Sequence, residues 1–174
     1  MLAIANAGVL SMFLQAGAAK IVRPGISAKA LAEVLPLRAE SLRWLTKLTA
    51  VAELATVLAV VLPPVRPAGL VLAGTLGLLF AVLGLAGLVT GSSEPCGCFG
   101  TQNGKPLGMA NVLTGLVFVV VSAVSLWMGA YDETFVATTA LLTTVFSAGW
   151  LMWANRGHLL RIIDNVRNRE EPAG

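Results

Sequence analysis

Residues 67–90 read PAGLVLAGTLGLLFAVLGLAGLVT, 24 residues without one Asp, Glu, Lys or Arg. A helix needs about 20 predominantly apolar residues to cross the hydrocarbon of a bilayer, and it tolerates proline in its first turn. This stretch meets both conditions and predicts a membrane span that starts at Pro67. Within it Gly74, Gly77, Ala81 and Gly84 recur at three- and four-residue spacing, with Gly91 following beyond Leu88. Lipid gives helices no hydrophobic reason to associate, so a stripe of small residues marks a face where a second backbone approaches closely. The span is therefore expected to be one member of a compact bundle.

Working outward, further apolar stretches predict helices over about 2–22, 42–62, 107–128 and 134–154. Pro63 and Pro64 end the second of these. The fold class is an all-α polytopic membrane bundle, a four-helix core with a fifth C-terminal transmembrane helix. It forms a single unit over 1–155, followed by a basic tail over 156–174. Composition agrees: of 174 residues, 56% are hydrophobic and only 12% charged, against roughly 25% charged in a soluble domain. A soluble enzyme, a disordered chain and a secreted disulfide mini-protein are excluded. The first helix lacks the basic residues that precede the apolar core of a signal peptide, so it reads as retained. Residues 24–41, PGISAKALAEVLPLRAES, are too polar to span. They predict a short interfacial helix from about Ser27 to Val34, capped by Ser27.

With five spans, Lys20, Arg23, Lys29, Arg38, Arg43, Lys47, Lys105, Arg156, Arg161, Arg167 and Arg169 share one side of the membrane, and Arg66 alone takes the other. Eleven against one is a positive-inside signal: it makes that side cytoplasmic and accounts for the net charge of +3 without nucleic acid. Trp44, Trp150 and Trp153 fall near this interface, Trp127 and Tyr131 near the opposite one. The lipid membrane is the first expected partner, and the expected location is the cell (inner) membrane, with the C-terminus on the cytoplasmic side.

The residues suited to chemistry gather on the basic side. Both cysteines lie in Glu94-Pro95-Cys96-Gly97-Cys98-Phe99-Gly100, between the third and fourth spans. Glycine accepts the backbone angles that bring sulfurs two residues apart into bonding range, and a small exposed ring of this kind is labile. Closing so short a loop constrains little of the unfolded chain, which disfavours a purely structural disulfide. Redox thiol chemistry is the favoured reading; inert cysteines and a soft-metal site such as Cu(I), completed by a partner, are the alternatives. The chain's own two Cys and one His are too few for a four-ligand zinc site. Glu53 lies about eleven residues into its predicted helix, roughly 16 Å along the axis. A carboxylate at that depth is a functional candidate, or else a protonated or hydrogen-bonded group that joins helices. Lys20 ends the first span, where it either snorkels or serves the site. Lys47 faces about 120° away from Glu53 on the same helix and is not its partner. Gln15 and Asn111 approach from the same side. His158, in the basic tail, reads as an interfacial residue.

GAAK at the end of the first helix, VRPGISAKALAEVLPL after it, VAELATVLAVVLPP in the second span and above all CGCFG before the fourth resemble the MauE branch of the MauE/DoxX family of membrane proteins. The resemblance covers about residues 10–130. It implies a small helical bundle associated with thiol and disulfide redox, known best from the maturation of methylamine dehydrogenase. It marks Cys96 and Cys98 as the redox pair and matches Lys20 and Glu53 to the family's polar positions. A disulfide-forming role would favour the extracytoplasmic face, where disulfides persist, whereas the charge count puts CGCFG inside, so the cytoplasmic face is the expectation. The expected function is a thiol–disulfide oxidoreductase that exchanges electrons with a thioredoxin-like or other redox protein, with a quinone between the helices as a further acceptor that no residue pattern requires. The competing expectation is a non-catalytic subunit or assembly factor of a larger membrane complex.

Overall fold

The computed structural model describes residues 1–94, 96, 106–129 and 133–154. Six α-helices account for nearly all of them: α1 (Leu2–Val22), α2 (Pro24–Val34), α3 (Ala39–Val61), α4 (Arg66–Thr90), α5 (Met109–Met128) and α6 (Glu133–Ala154). α1, α3, α4 with the 3-10 turn before it, and α5 are long and apolar enough to cross a membrane. A shorter apolar segment, Phe135–Trp150, lies in α6. The chain is an all-α, multi-pass membrane bundle. The basic tail, with His158, lies outside the described residues.

The local signals act largely as read, with shifted ends. Pro67 stands in the first turn of α4, and the Pro63-Pro64 pair forms the 3-10 turn that separates it from α3. α3 starts three residues earlier than expected, at Ala39. α5 starts at Met109, beyond Pro106, because Gly108 begins the helix and its N–H donates to Asn111 Oδ1 at 3.3 Å. The interfacial helix also starts early: Pro24, with its fixed φ, opens α2. Ser27 is thus not a cap. It sits a turn inside, 4% exposed, on the face turned into the protein.

The small-residue stripe of α4 meets α5 antiparallel. A Cβ added at Gly77 would lie 2.7 Å from Phe118 Cβ, one at Gly84 2.8 Å from Asn111 Cβ, and one at Gly115 2.3 Å from the Gly77 carbonyl oxygen. Gly74 has ordinary clearance, 3.6 Å to Ser122 Cβ. Gly91 belongs to a different job. At φ 68° it ends α4 in the left-handed conformation glycine accepts without strain, and the Ser92 N–H turns back to the Gly87 carbonyl at 2.9 Å. That turn launches the cysteine loop.

α1 runs between α3 and α6. Phe13 is fully buried, packs at a tilt of 46° against Phe118 of α5, ring centroids 4.7 Å apart, and stacks with Phe80 of α4 at 6.3 Å. At the far end Asn6 Nδ2 donates to Ser125 Oγ at 2.8 Å, tying α1 to α5. Arg66, 1% exposed, lies there with its guanidinium 4.5 Å from the centre of the Phe135 ring. The end of α1, all of α2, the start of α3, the end of α4 and the start of α5 converge at the opposite pole.

Candidate functional site

Gly17 sets the geometry of that pole. With no side chain it lets α1 close on α3, where an added Cβ would sit 3.1 Å from the Ala50 carbonyl oxygen and 2.9 Å from Leu54 Cγ. Lys20 follows one turn later, and Glu53 stands one turn beyond Ala50. Helical side chains lean toward their own N-terminus, so Lys20 is directed down into the bundle and away from the surface. Lys20 Nζ donates to Glu53 Oε1 in a buried ion pair, with the two residues 5% and 0% exposed. The ammonium also lies 5.3 Å from the centre of the Phe80 ring, on its attractive face. Lys20 therefore does not snorkel. Lys47 points outward, over Trp44 at 5.4 Å.

Cys96 is disulfide-bonded; the sequence holds one other cysteine, Cys98, which lies outside the described residues. Cys96 is 8% exposed and sits in a small apolar cluster with Ala30 of α2 and Leu107, flanked by Val34. Asn111 Nδ2 donates to its Sγ at 3.3 Å. The amide of Asn111 thus grips the first turn of α5 with its oxygen and the sulfur with its nitrogen. A donor aimed at sulfur favours the thiolate over the thiol when the bond opens.

A cavity of about 250 Å³ joins these parts. Lys20, Ser27, Glu53, Phe80 and Cys96 line it, with leucines from α2, α3 and α4. The wall is almost wholly apolar, and the polar atoms of these residues lie behind it. Among the described residues Glu53 Oε2 and Ser27 Oγ are buried without a hydrogen-bond partner, a costly condition for groups shut off from water. Leu79 and Val82, which also line the cavity, are 40% and 55% exposed on the outer face of α4. The cavity therefore opens sideways between α3 and α4. Gln15 is half-buried but does not line it. No three His, Cys, Asp or Glu side chains come together among the described residues.

Sequence reasoning missed Glu33. From the last turn of α2 its carboxylate accepts hydrogen bonds from Ser92 Oγ, from the Ser93 N–H at 3.0 Å and Oγ at 3.2 Å, and from the Glu94 N–H at 3.1 Å. This clamp fixes the cysteine loop where it leaves α4. It pairs positions 60 residues apart, which no local pattern announces. The Ser92 hydroxyl, then the Glu94 N–H, hold the Glu33 carboxyl below its ordinary value of 4.5. A carboxyl whose pKa is lowered by folding stabilises the fold above the ordinary value and loses that contribution as pH falls through the lowered one. Hydrogen-exchange protection of the Ser93 and Glu94 amides is accordingly expected to be constant above 4.5 and to collapse below it. Glu33→Gln should remove that dependence and weaken protection above 4.5, where the wild-type carboxylate is charged. Protection that is insensitive to both changes would show that the clamp does not hold the loop.

A family model described as "Methylamine utilisation protein MauE" matches residues 1–128, which takes in α1 to α5 and the cysteine loop. Among curated proteins and among solved structures, none matches the chain.

Proposed function

The chain belongs to the MauE family, and from that premise we propose that it is an integral membrane thiol–disulfide oxidoreductase in which Cys96 and Cys98 cycle between disulfide and dithiol. One observation carries the reading: a disulfide-bonded Cys96, with an amide N–H on its sulfur, lines the same intramembrane cavity as a buried Lys20–Glu53 ion pair. Ionisable groups buried in a cleft beside a reactive atom are a common signature of a site with chemistry. CGCFG is read as the redox motif of the MauE/DoxX group. The family description names methylamine utilisation; the chemistry proposed here is the electron exchange, whatever substrate it serves.

In the exchange, a thiolate of a thioredoxin-like partner attacks Cys98 Sγ. The Cys96–Cys98 bond breaks, a mixed disulfide forms, and Cys96 leaves as a thiolate steadied by Asn111. The partner's second thiolate then attacks the mixed disulfide, so that the partner is oxidised and the pair is left as a dithiol. Cys98 is assigned the outward role because Cys96 is nearly buried. Lys20 and Glu53 set the charge of the cavity beneath. The charge distribution supports a cytoplasmic face for this pole, with Arg23, Lys29, Arg38, Arg43 and Lys47 all on α2, its flanks or the start of α3.

Trapping tests the reading. Cys96→Ser leaves Cys98 without a resolving thiol, so non-reducing electrophoresis of cell membranes should reveal a mixed disulfide that a reductant dissolves. If neither single cysteine variant accumulates such an adduct, and the Cys96→Ser/Cys98→Ser chain keeps full function, the protein is a non-catalytic subunit and the redox reading is wrong.

A further inference from the structure

One face of α2 holds the cysteine loop. Ala30, Glu33 and Val34 fall within an arc of about 100° on that helix, given its 3.6 residues per turn. Ala30 and Val34 pack on Cys96 together with Leu107. Glu33, between them in sequence, accepts from Ser92 Oγ, from the Ser93 N–H and Oγ, and from the Glu94 N–H, two residues before Cys96. The cover on the sulfur and the clamp on its loop are therefore the same helical face. α2 is anchored through Ser27, Ala28 and Ala30, which are buried; past Ala30 it is half-buried or exposed, and the chain is exposed from Pro36 to Ser41. The clamp is what fastens this outer half to the loop. Its donors do not need it: Ser92 is half-buried and Ser93 and Glu94 are exposed, so water could satisfy all of them. What the carboxylate adds is position.

Resting on the redox reading above, we infer that Glu33 is a positioning residue that decides which sulfur of the disulfide a partner attacks: by holding α2 over Cys96 it makes Cys98 the point of attack and Cys96 the leaving sulfur. The rate of thiol–disulfide exchange depends on which sulfur is attacked and on access to it. Attack at Cys98 breaks the Cys96–Cys98 bond, joins the incoming sulfur to Cys98, and sends the electron pair to Cys96. There the Asn111 amide already donates to the sulfur at 3.3 Å. Attack at Cys96 would instead build the adduct on the sulfur that Ala30, Val34 and Leu107 enclose, and α2 would have to lift. Glu33 keeps it down, so the exchange runs in one direction through the loop.

The test opens the disulfide of the full chain in lipid nanodiscs with glutathione and quenches within seconds with excess N-ethylmaleimide. Fragment-ion mass spectrometry then locates the two groups, since Gly97 separates the cysteines. The wild type should carry glutathione on Cys98 and maleimide on Cys96, in clear excess over the reverse. Glu33→Ala, which removes every acceptor of the clamp, should raise the share of adduct on Cys96 about tenfold, the worth of one charge-assisted hydrogen bond. Glu33→Gln keeps an accepting oxygen and should fall between the two; it carries the comparison alone if the alanine variant does not accumulate. A clamp that serves stability only would move the unfolding midpoint and leave the ratio of adducts where it was. Equal ratios in the wild type and the variants, or wild-type attack mainly at Cys96, overturn the inference. A mixed disulfide trapped in cells, together with a ratio indifferent to Glu33, sinks this inference only. Absence of that mixed disulfide sinks the redox reading itself, while the glutathione ratio still reports on the clamp.

Discussion

Lys20→Met alone, or Glu53→Leu alone, is expected to destabilise the bundle by about 3–5 kcal/mol, while the two changes together return most of that stability. Each single change strands a charge in the interior. Lys20 and Glu53 are 5% and 0% exposed, and the ammonium lies 5.3 Å from the centre of the Phe80 ring, a contact too weak to replace the carboxylate. The pair together is worth little more than two apolar side chains of similar size, because desolvation offsets most of its Coulomb energy. Thermal unfolding of detergent-purified protein, followed by loss of the monodisperse peak on size exclusion, measures the difference. The double variant then separates stability from chemistry: it should fold and be inactive in thiol exchange. Single variants that unfold together with the wild type would mean the ion pair is not buried as described. An active double variant would confine the pair to a structural role.

Gly115→Ala should cost about 3 kcal/mol, the upper end of the range for overpacking a core. The new methyl would stand 2.3 Å from the Gly77 carbonyl oxygen and 2.6 Å from the Ala81 nitrogen. Both are backbone atoms of α4, so no rotamer change makes room and the two helices must part. Separation would reach the site, since Gly84 and Gly87 rest on Asn111 and Leu107, which hold Cys96. Gly74→Ala is the control: its Cβ meets Ser122 at 3.6 Å, and the loss of glycine from a helix interior offsets any contact cost by about 0.5–1 kcal/mol. The same unfolding assay decides, and equal stability of the two variants would refute the close α4–α5 contact.

The bundle was legible because its signals are local and strong. Twenty-four uncharged residues can do little but span a bilayer, and the spacing of Gly77, Ala81 and Gly84 foretold a face on which a second backbone would close, though not that it would be α5. Helix ends were less legible, since proline competes with other cues: Pro24 opened α2 where Ser27 looked like the cap, whereas Pro106 stayed outside α5 and Gly108 began it. The site was half visible. Lys20, Cys96 and Asn111 could be assigned to one pole from span order alone, with Glu53 beneath them. Their contacts could not, because whether Lys20 snorkels or turns inward depends on how closely Gly17 brings α1 to α3. Ser27 in the cavity and Glu33 on the cysteine loop depend on pairings across the fold, to which periodicity is blind.

The account stands most directly on the redox state of the two cysteines during use. Intact cells expressing the wild-type chain should be given a short pulse of membrane-permeant reductant, washed, and quenched at intervals with a thiol-alkylating reagent that shifts mobility on a gel. The account predicts a chain that resists alkylation before the pulse, accepts two labels immediately after it, and returns to the unlabelled form during the chase, with the return abolished in the Lys20→Met/Glu53→Leu chain. A wild-type chain whose cysteines are already free before the pulse, or stay reduced throughout the chase, would contradict it.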